Sequence, residues 1–229
     1  MFRFSRGAGA CVAVAAWCPA FAYVNIEDFV DAPFSVELTG GHSYSQGQNG
    51  LDTAHSAFGK RGWFLDITSN PDQAHLNLDV GNGEQKLSTT SDLLTYNMDL
   101  GLGVSGDVLI DLSRESSIYI DLYTDPPHVF ADHWSLTVVD VNGVDTSNDG
   151  WLLRNGGIQF DIDSFSRPID WSRVRSVTFF ENMDTPRNPT LYSVTHIYAV
   201  PEPPALAAGI VALALLRRKP RATGASRKP

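Results

Sequence analysis

Cysteine is nearly absent from this chain, and where it occurs matters. Both copies, Cys11 and Cys18, fall within the first 22 residues. The remaining chain therefore has no disulfide, no thiol nucleophile and no cysteine pair for zinc. Phosphate-binding glycine loops and His-Glu-x-x-His are missing, and Gly41-His42-Ser43-Tyr44-Ser45 lacks the closing glycine of a nucleophile elbow. The six histidines, at 42, 55, 75, 128, 133 and 196, are scattered and never stand at ligand spacing. Helical periodicity is almost absent, apart from one turn's worth around Ile169–Arg173. Positive charge is scarce in the middle of the chain. Residues 23–200 hold nine Lys and Arg against 25 Asp and Glu, a formal charge of −16 compared with −9 for the whole. Such a surface repels nucleic acid and suits an acidic protein held soluble outside the cell.

What is present begins with period-two alternation. Ser117–Tyr123 is the clearest case, with Ile118, Ile120 and Leu122 on one face and Tyr119, Asp121 and Tyr123 on the other. Trp63–Thr68, His75–Val80, Asp107–Leu112, Trp134–Val141, Gly157–Ile162, Val174–Glu181 and Thr190–Ala199 read the same way. Shorter strands are predicted at Phe34–Leu38, Lys86–Thr89 and Leu93–Asn97, while the Gly-, Ser- and Gln-rich Gly40–Gly50 reads as a long loop. Short strands separated by Asn-Gly, Asp-Pro and Gly-Asn-Gly breakers predict an all-β, two-sheet sandwich of jelly-roll type over residues 23–199. By alternation Trp63 and Trp134 face the core, whereas Trp151 and Trp171 lie near turns and are expected to be exposed.

The two ends carry address signals. Arg3 and Arg6, the apolar Ala8–Trp17 and the Ala20-Phe21-Ala22 site form a signal peptide over residues 1–22, cut after Ala22 by signal peptidase. At the other end, Pro201-Glu202-Pro203-Pro204 precedes the apolar Ala205–Leu216 and the basic Arg217-Arg218-Lys219-Pro220-Arg221. Twelve residues span about 18 Å as a helix, short of the roughly 20 apolar residues a ~30 Å bilayer core asks for. The basic cluster should stay cytoplasmic, leaving residues 222–229 as a cytoplasmic tail. This tail resembles the PEP-CTERM sorting signal of Gram-negative bacteria, also labelled an ice-binding protein C-terminal domain, over residues 200–221. The resemblance implies a precursor in the inner membrane with its body in the periplasm, and processing there by an exosortase. It also implies a mature protein at the cell surface or in an exopolysaccharide matrix. Ice-binding solenoids use aligned Thr-x-Thr arrays, and no two threonines here stand two apart.

The central part resembles galactose-binding-like jelly rolls. The resemblance rests on Ile26-Glu27-Asp28-Phe29, on Phe58-Gly59-Lys60-Arg61 and on the closing Phe160–Phe165 and Ile169–Val174 runs. Members often end on Asp-Asn-Ile; here that place reads Thr195-His196-Ile197, so the carboxylate that would hold a metal or a buried polar contact is replaced.

Three site readings follow. Asp140–Asp145 with Asn148-Asp149-Gly150 is excluded as an EF-hand loop because Val144 and Asp145 occupy its fifth and sixth places. A hairpin through Asn142-Gly143 or a looser structural calcium site remains. No catalytic residue or other cofactor is assigned. Tyr119, Asp121 and Tyr123 could contact glycans, since aromatic rings pack on sugar faces while a carboxylate accepts hydroxyl hydrogen bonds. Their alternative is cross-strand packing on a half-buried face. The expected function is a structural or carbohydrate-interacting surface protein, with extracellular polysaccharide as partner. A secreted carbohydrate-active hydrolase using two carboxylates is the alternative.

Overall fold

The computed structural model describes residues 23–41, 43–125, 133–149, 151–152, 157–183 and 190–201. The signal peptide, nearly all of the C-terminal tail with its apolar segment, His42, His128 and the side chains of His133 and Trp151 lie outside the described residues.

The described chain is a jelly-roll-like sandwich of two antiparallel sheets. Its strands are β1 (Val24–Glu27), β2 (Phe34–Thr39), β3 (Ser43–Asn49), β4 (Lys60–Ser69), β5 (His75–Gly81), β6 (Glu84–Thr89) and β7 (Thr95–Leu102). The second half adds β8 (Glu115–Asp125), β9 (His133–Asp140), β10 (Asp145–Asp149), β11 (Trp151–Leu152), β12 (Gly157–Asp161), β13 (Val174–Met183) and β14 (Leu191–Pro201). One sheet runs β11-β12-β8-β14-β6-β5-β2, with β1 also paired to β14; the other runs β10-β9-β13-β7-β4-β3. Single 3₁₀ turns cover Ile162–Ser164 and Trp171–Arg173. Among the described residues no helix is long and apolar enough to cross a membrane.

Alternation decides the packing. Leu76, Leu78, Ile118, Ile120, Val194 and Ile197 of the first sheet meet Trp63, Leu65, Met98, Leu100, Leu136 and Phe179 of the second, all at most 2 % exposed. Burying each such side chain contributes about 1.5–3 kcal/mol. Two inter-sheet ring contacts tie the layers, Phe160 to Phe179 at 6.4 Å and Phe34 to Trp63 at 4.8 Å. The indole of Trp63 donates to Gln85 Oε1 at 2.5 Å, which satisfies its one buried polar atom.

Local chemistry sets the turns. Asn82 and Gly83 both take positive φ, 55° and 83°, which gives the β5–β6 hairpin the primed two-residue turn that matches strand twist. The Asn142-Gly143 hairpin forms but is not a two-residue turn, for the loop runs from Val141 to Val144 and only Gly143 has positive φ. Buried Asp140 shapes it: Oδ1 accepts from Asn142 N and Val144 N, and Oδ2 from Asp170 N. Burial pushes this carboxyl up, and the hydrogen bonds outweigh it, so its pKa lies below the ordinary value.

Three expectations need correction. Gly40–Gly50 is not a loop, since Ser43–Asn49 is the edge strand β3 on β4. Asp107–Leu112 is not a strand; Ile110 bridges Val174 while Val108 and Leu109 stay exposed. Trp171 is half-buried, with its ring edge-on to Phe165 at 5.3 Å.

Candidate functional site

The tyrosine strip read from the sequence stands on the outer face of the first sheet. Ile118, Ile120 and Leu122 are buried, so Tyr119, Asp121 and Tyr123 point outward. The neighbouring β14 supplies what the sequence did not single out. Tyr198 pairs in register with Tyr119 and stacks on it, centroids 5.6 Å apart at 15°. Its phenol donates to Asp121 Oδ1 at 3.4 Å. Burial, reinforced by the Asp121 charge, raises the Tyr198 pKa. Tyr23 closes the cluster edge-on to His196 and Tyr198, and His196 is tied to Asn25 Oδ1 at 2.9 Å. The rings of Tyr119 and Tyr198 are thus spent largely on each other, while Tyr123 stands 56 % exposed at the end of the strip.

The opposite face, on the second sheet, carries a groove of about 430 Å³. Its floor is one row of residues in register across the strands: Gly47 faces Gly62, Gly62 faces Gly101, and Gly101 faces Thr178. Side chains two places along each strand rise on the same outer face and form a wall. In register these are Ser45, Phe64, Asp99 and Phe180. Phe64 is 43 % exposed, an unusual state for a phenylalanine in the middle of a strand between two paired neighbours. Asp99 stands between Phe64 and Phe180, and partial burial raises its pKa. The opposite wall is Asn49 and Lys60, with Val104 reaching over the Gly101 end. Lys60 Nζ donates to Ser105 O at 3.3 Å, which holds the long side chain along the rim.

Beneath the groove lies a buried support. Arg61 Nη1 donates to Glu27 Oε1 at 2.6 Å, Nε donates to Gln48 Oε1 at 2.7 Å, and Nη2 bonds Asp31 O. The guanidinium sits 5.8 Å from the Phe29 ring centroid and 5.4 Å from that of Trp63. Glu27 and Phe29, from the opening run singled out in the sequence, thus meet Arg61 of the second run and fix β4 under the groove.

The Asp140–Asp149 region offers no grouping of metal ligands among the described residues, and both Asp140 oxygens are occupied by backbone amides. At the metal position of the jelly-roll resemblance, Thr195 sits in a bulge between Val194 and His196.

No protein-family model and no curated protein matches this chain. Among solved structures it is similar to the family 11 carbohydrate-binding module of a Clostridium thermocellum cellulosomal cellulase, in its solution structure. The identity is 14 %, with coverage of 81 % of this chain and 99 % of that one and a TM-score of 0.41. The family 30 carbohydrate-binding module of another cellulase from the same organism shows 12 % identity, 78 % and 98 % coverage and a TM-score of 0.40. A module described as specific for non-crystalline cellulose shows 10 % identity, 59 % and 80 % coverage and a TM-score of 0.29.

Proposed function

We propose that this protein is an exported, carbohydrate-interacting β-sandwich, cut at its Pro-Glu-Pro tail by an exosortase and held at the cell surface or in an exopolysaccharide matrix. One observation carries the carbohydrate reading. An exposed ring, Phe64, stands in register beside a partly desolvated acceptor, Asp99, on the wall of a groove floored by Gly47, Gly62 and Gly101 with Thr178 at its end. A sugar ring presents an apolar face to such a phenyl group and hydroxyl donors to such a carboxylate. Asp99 is also the one carboxylate among the described residues lining the groove, where glycoside hydrolysis uses a pair. Binding, not turnover, fits that inventory. Tyr123, with Tyr119 and Asp121 behind it, is an accessory contact on the other face.

The pairing of the first and last strands supports the export reading. Val24 pairs with Ala199, and β14 runs on to Pro201, the first residue of the Pro-Glu-Pro motif. Val24 and Ala199 therefore lie side by side at one end of the sandwich, an arrangement that suits a precursor with both basic termini in the cytoplasm. Cleavage after Ala22 would place the new amino terminus on Tyr23, at the edge of the tyrosine strip.

Affinity electrophoresis of the purified protein through gels containing bacterial exopolysaccharides tests the binding. Retardation lost in Phe64→Ala and Asp99→Asn supports it; unretarded wild-type protein in every gel overturns it. For sorting, deletion of the host exosortase should leave a longer, membrane-bound form. An unchanged mature mass would sink that part.

A further inference from the structure

The groove has a direction. In-register neighbours on adjacent strands lie about 4.8 Å apart across the sheet, so the row from Gly47 to Thr178 covers about 14 Å. The two walls stand two residues to either side along the strands, about 7 Å from the floor line at the backbone. The cavity is thus walled along the strand direction, by Phe64 and Asp99 on one side and by Asn49 and Lys60 on the other, and runs between them across the strands.

The floor is unusual for a sheet. Glycine in a strand interior weakens the strand, having no side chain to pack, and often marks a place where another group approaches the backbone closely. Gly62 is central, paired on both sides, and a Cβ there would stand 3.3 Å from Gln46 O. Gly47 has nothing within 4 Å of a Cβ position, so packing within the protein does not demand glycine there. What that glycine preserves is open space above the floor.

Resting on the carbohydrate reading above, we infer that the groove holds an unbranched glycan chain laid across the strands from Gly47 over Gly62 to Val104, whose side chain stands over Gly101, and excludes chains that carry branches where they meet the walls. The chemistry favours a glycan over an extended peptide. A peptide lying across the strands would need partners for its amides at regular spacing. The Gly62 and Gly101 backbone lies within paired strands and offers none. A glycan needs an apolar surface for its ring faces, which Phe64 and Val104 provide. Its hydroxyls find Asp99, Ser45, Asn49 and Lys60 along the sides and Thr178 at the end of the floor. A branch would meet a wall in either direction, whereas a linear chain can enter over the Gly47 edge and rest its far end against Val104.

The test measures binding of cellohexaose, mannohexaose, maltohexaose and chitohexaose to the full-length protein by calorimetry, and then of a branched counterpart of any that binds. Gly47→Phe sets a ring on the floor where the structure has room for it; Gly47→Ala is the folding control. The expected result is binding of at least one linear hexaose, weakened at least tenfold by Gly47→Phe and nearly unchanged by Gly47→Ala. The branched counterpart should bind at least tenfold more weakly than its linear parent. Undiminished binding to Gly47→Phe, or equal binding of the branched form, overturns the groove assignment. If Tyr119→Ala then abolishes binding, the carbohydrate reading survives on the other face. Failure of every hexaose to bind overturns the groove assignment, while retention in the exopolysaccharide gels reports separately on the broader reading. Competition by an extended peptide at the same site would also overturn it.

Discussion

Glu27 and Arg61, 34 residues apart in sequence, form an ion pair 2.6 Å long with both side chains fully buried. It joins the strand that opens the sandwich to the strand that floors the groove, so the groove's shape depends on it. Burial raises the Glu27 pKa, and the Arg61 charge works against that rise.

Breaking one side of the pair should therefore be severe. Arg61→Met leaves a buried carboxylate without its cation, at a cost of about 3–5 kcal/mol. Without Arg61 the Glu27 pKa should rise further. A carboxyl with a raised folded pKa contributes stability that is present below its unfolded pKa and lost as pH rises through the folded value. Urea denaturation should accordingly show a larger Arg61→Met deficit at neutral pH than in mild acid. An equal deficit at both would contradict the pairing.

Asp140 is the opposite case, a carboxyl held below its ordinary value of 3.8 by backbone donors that outweigh its burial. Its contribution is present above the unfolded pKa and lost as pH falls through the folded one. Asp140→Ala leaves three partly buried amides without their acceptor and should cost about 1–3 kcal/mol. In acid titrations followed by tryptophan fluorescence, the variant should lose less stability than wild type below pH ~4.

Two glycines with positive φ should respond differently to alanine. At Gly103, φ 77°, a Cβ would fall 2.5 Å from Arg175 O and 2.6 Å from Phe58 Cδ1. At Gly143, φ 76°, it would meet nothing within 4 Å. Gly143→Ala should cost about 1–2 kcal/mol from backbone strain alone. Gly103→Ala should cost clearly more, with the difference read from thermal midpoints.

The imidazole of His55 lies 2.8 Å from Asp28 Oδ2. That hydrogen bond, then the Asp28 charge, raises its pKa above 6.5. Proton NMR should find His55 titrating above the ordinary histidine range, and Asp28→Asn should return it. Whatever stability the pair adds is present below pH ~6.5 and lost as pH rises through the folded value.

The sandwich was readable because the strands that face the core alternate strictly: Ile118, Ile120 and Leu122 need no partner to be recognised. Ser43–Asn49 was unreadable for the converse reason. As an edge strand it has one wet face, and of its inner positions Tyr44 and Gln48 are only half-buried and Gln46 is exposed, so no apolar period appears. Asp107–Leu112 reads as a strand because it carries an apolar run, yet only Ile110 finds a bridge partner. Tyr119 and Asp121 were visible, but Tyr198, His196 and Tyr23 join them only because β14 lies between β8 and β1. The groove was invisible altogether: Gly47, Gly62 and Gly101 have irregular spacing in the chain and align only through strand register.

The measurement that bears most directly on the carbohydrate reading is amide chemical-shift mapping of the labelled protein against a linear oligosaccharide. The account expects the largest shifts at Gly47, Gly62, Phe64 and Asp99, with smaller shifts along Tyr119–Tyr123. Saturable shifts confined to the tyrosine strip, or no saturable shift anywhere, would contradict it.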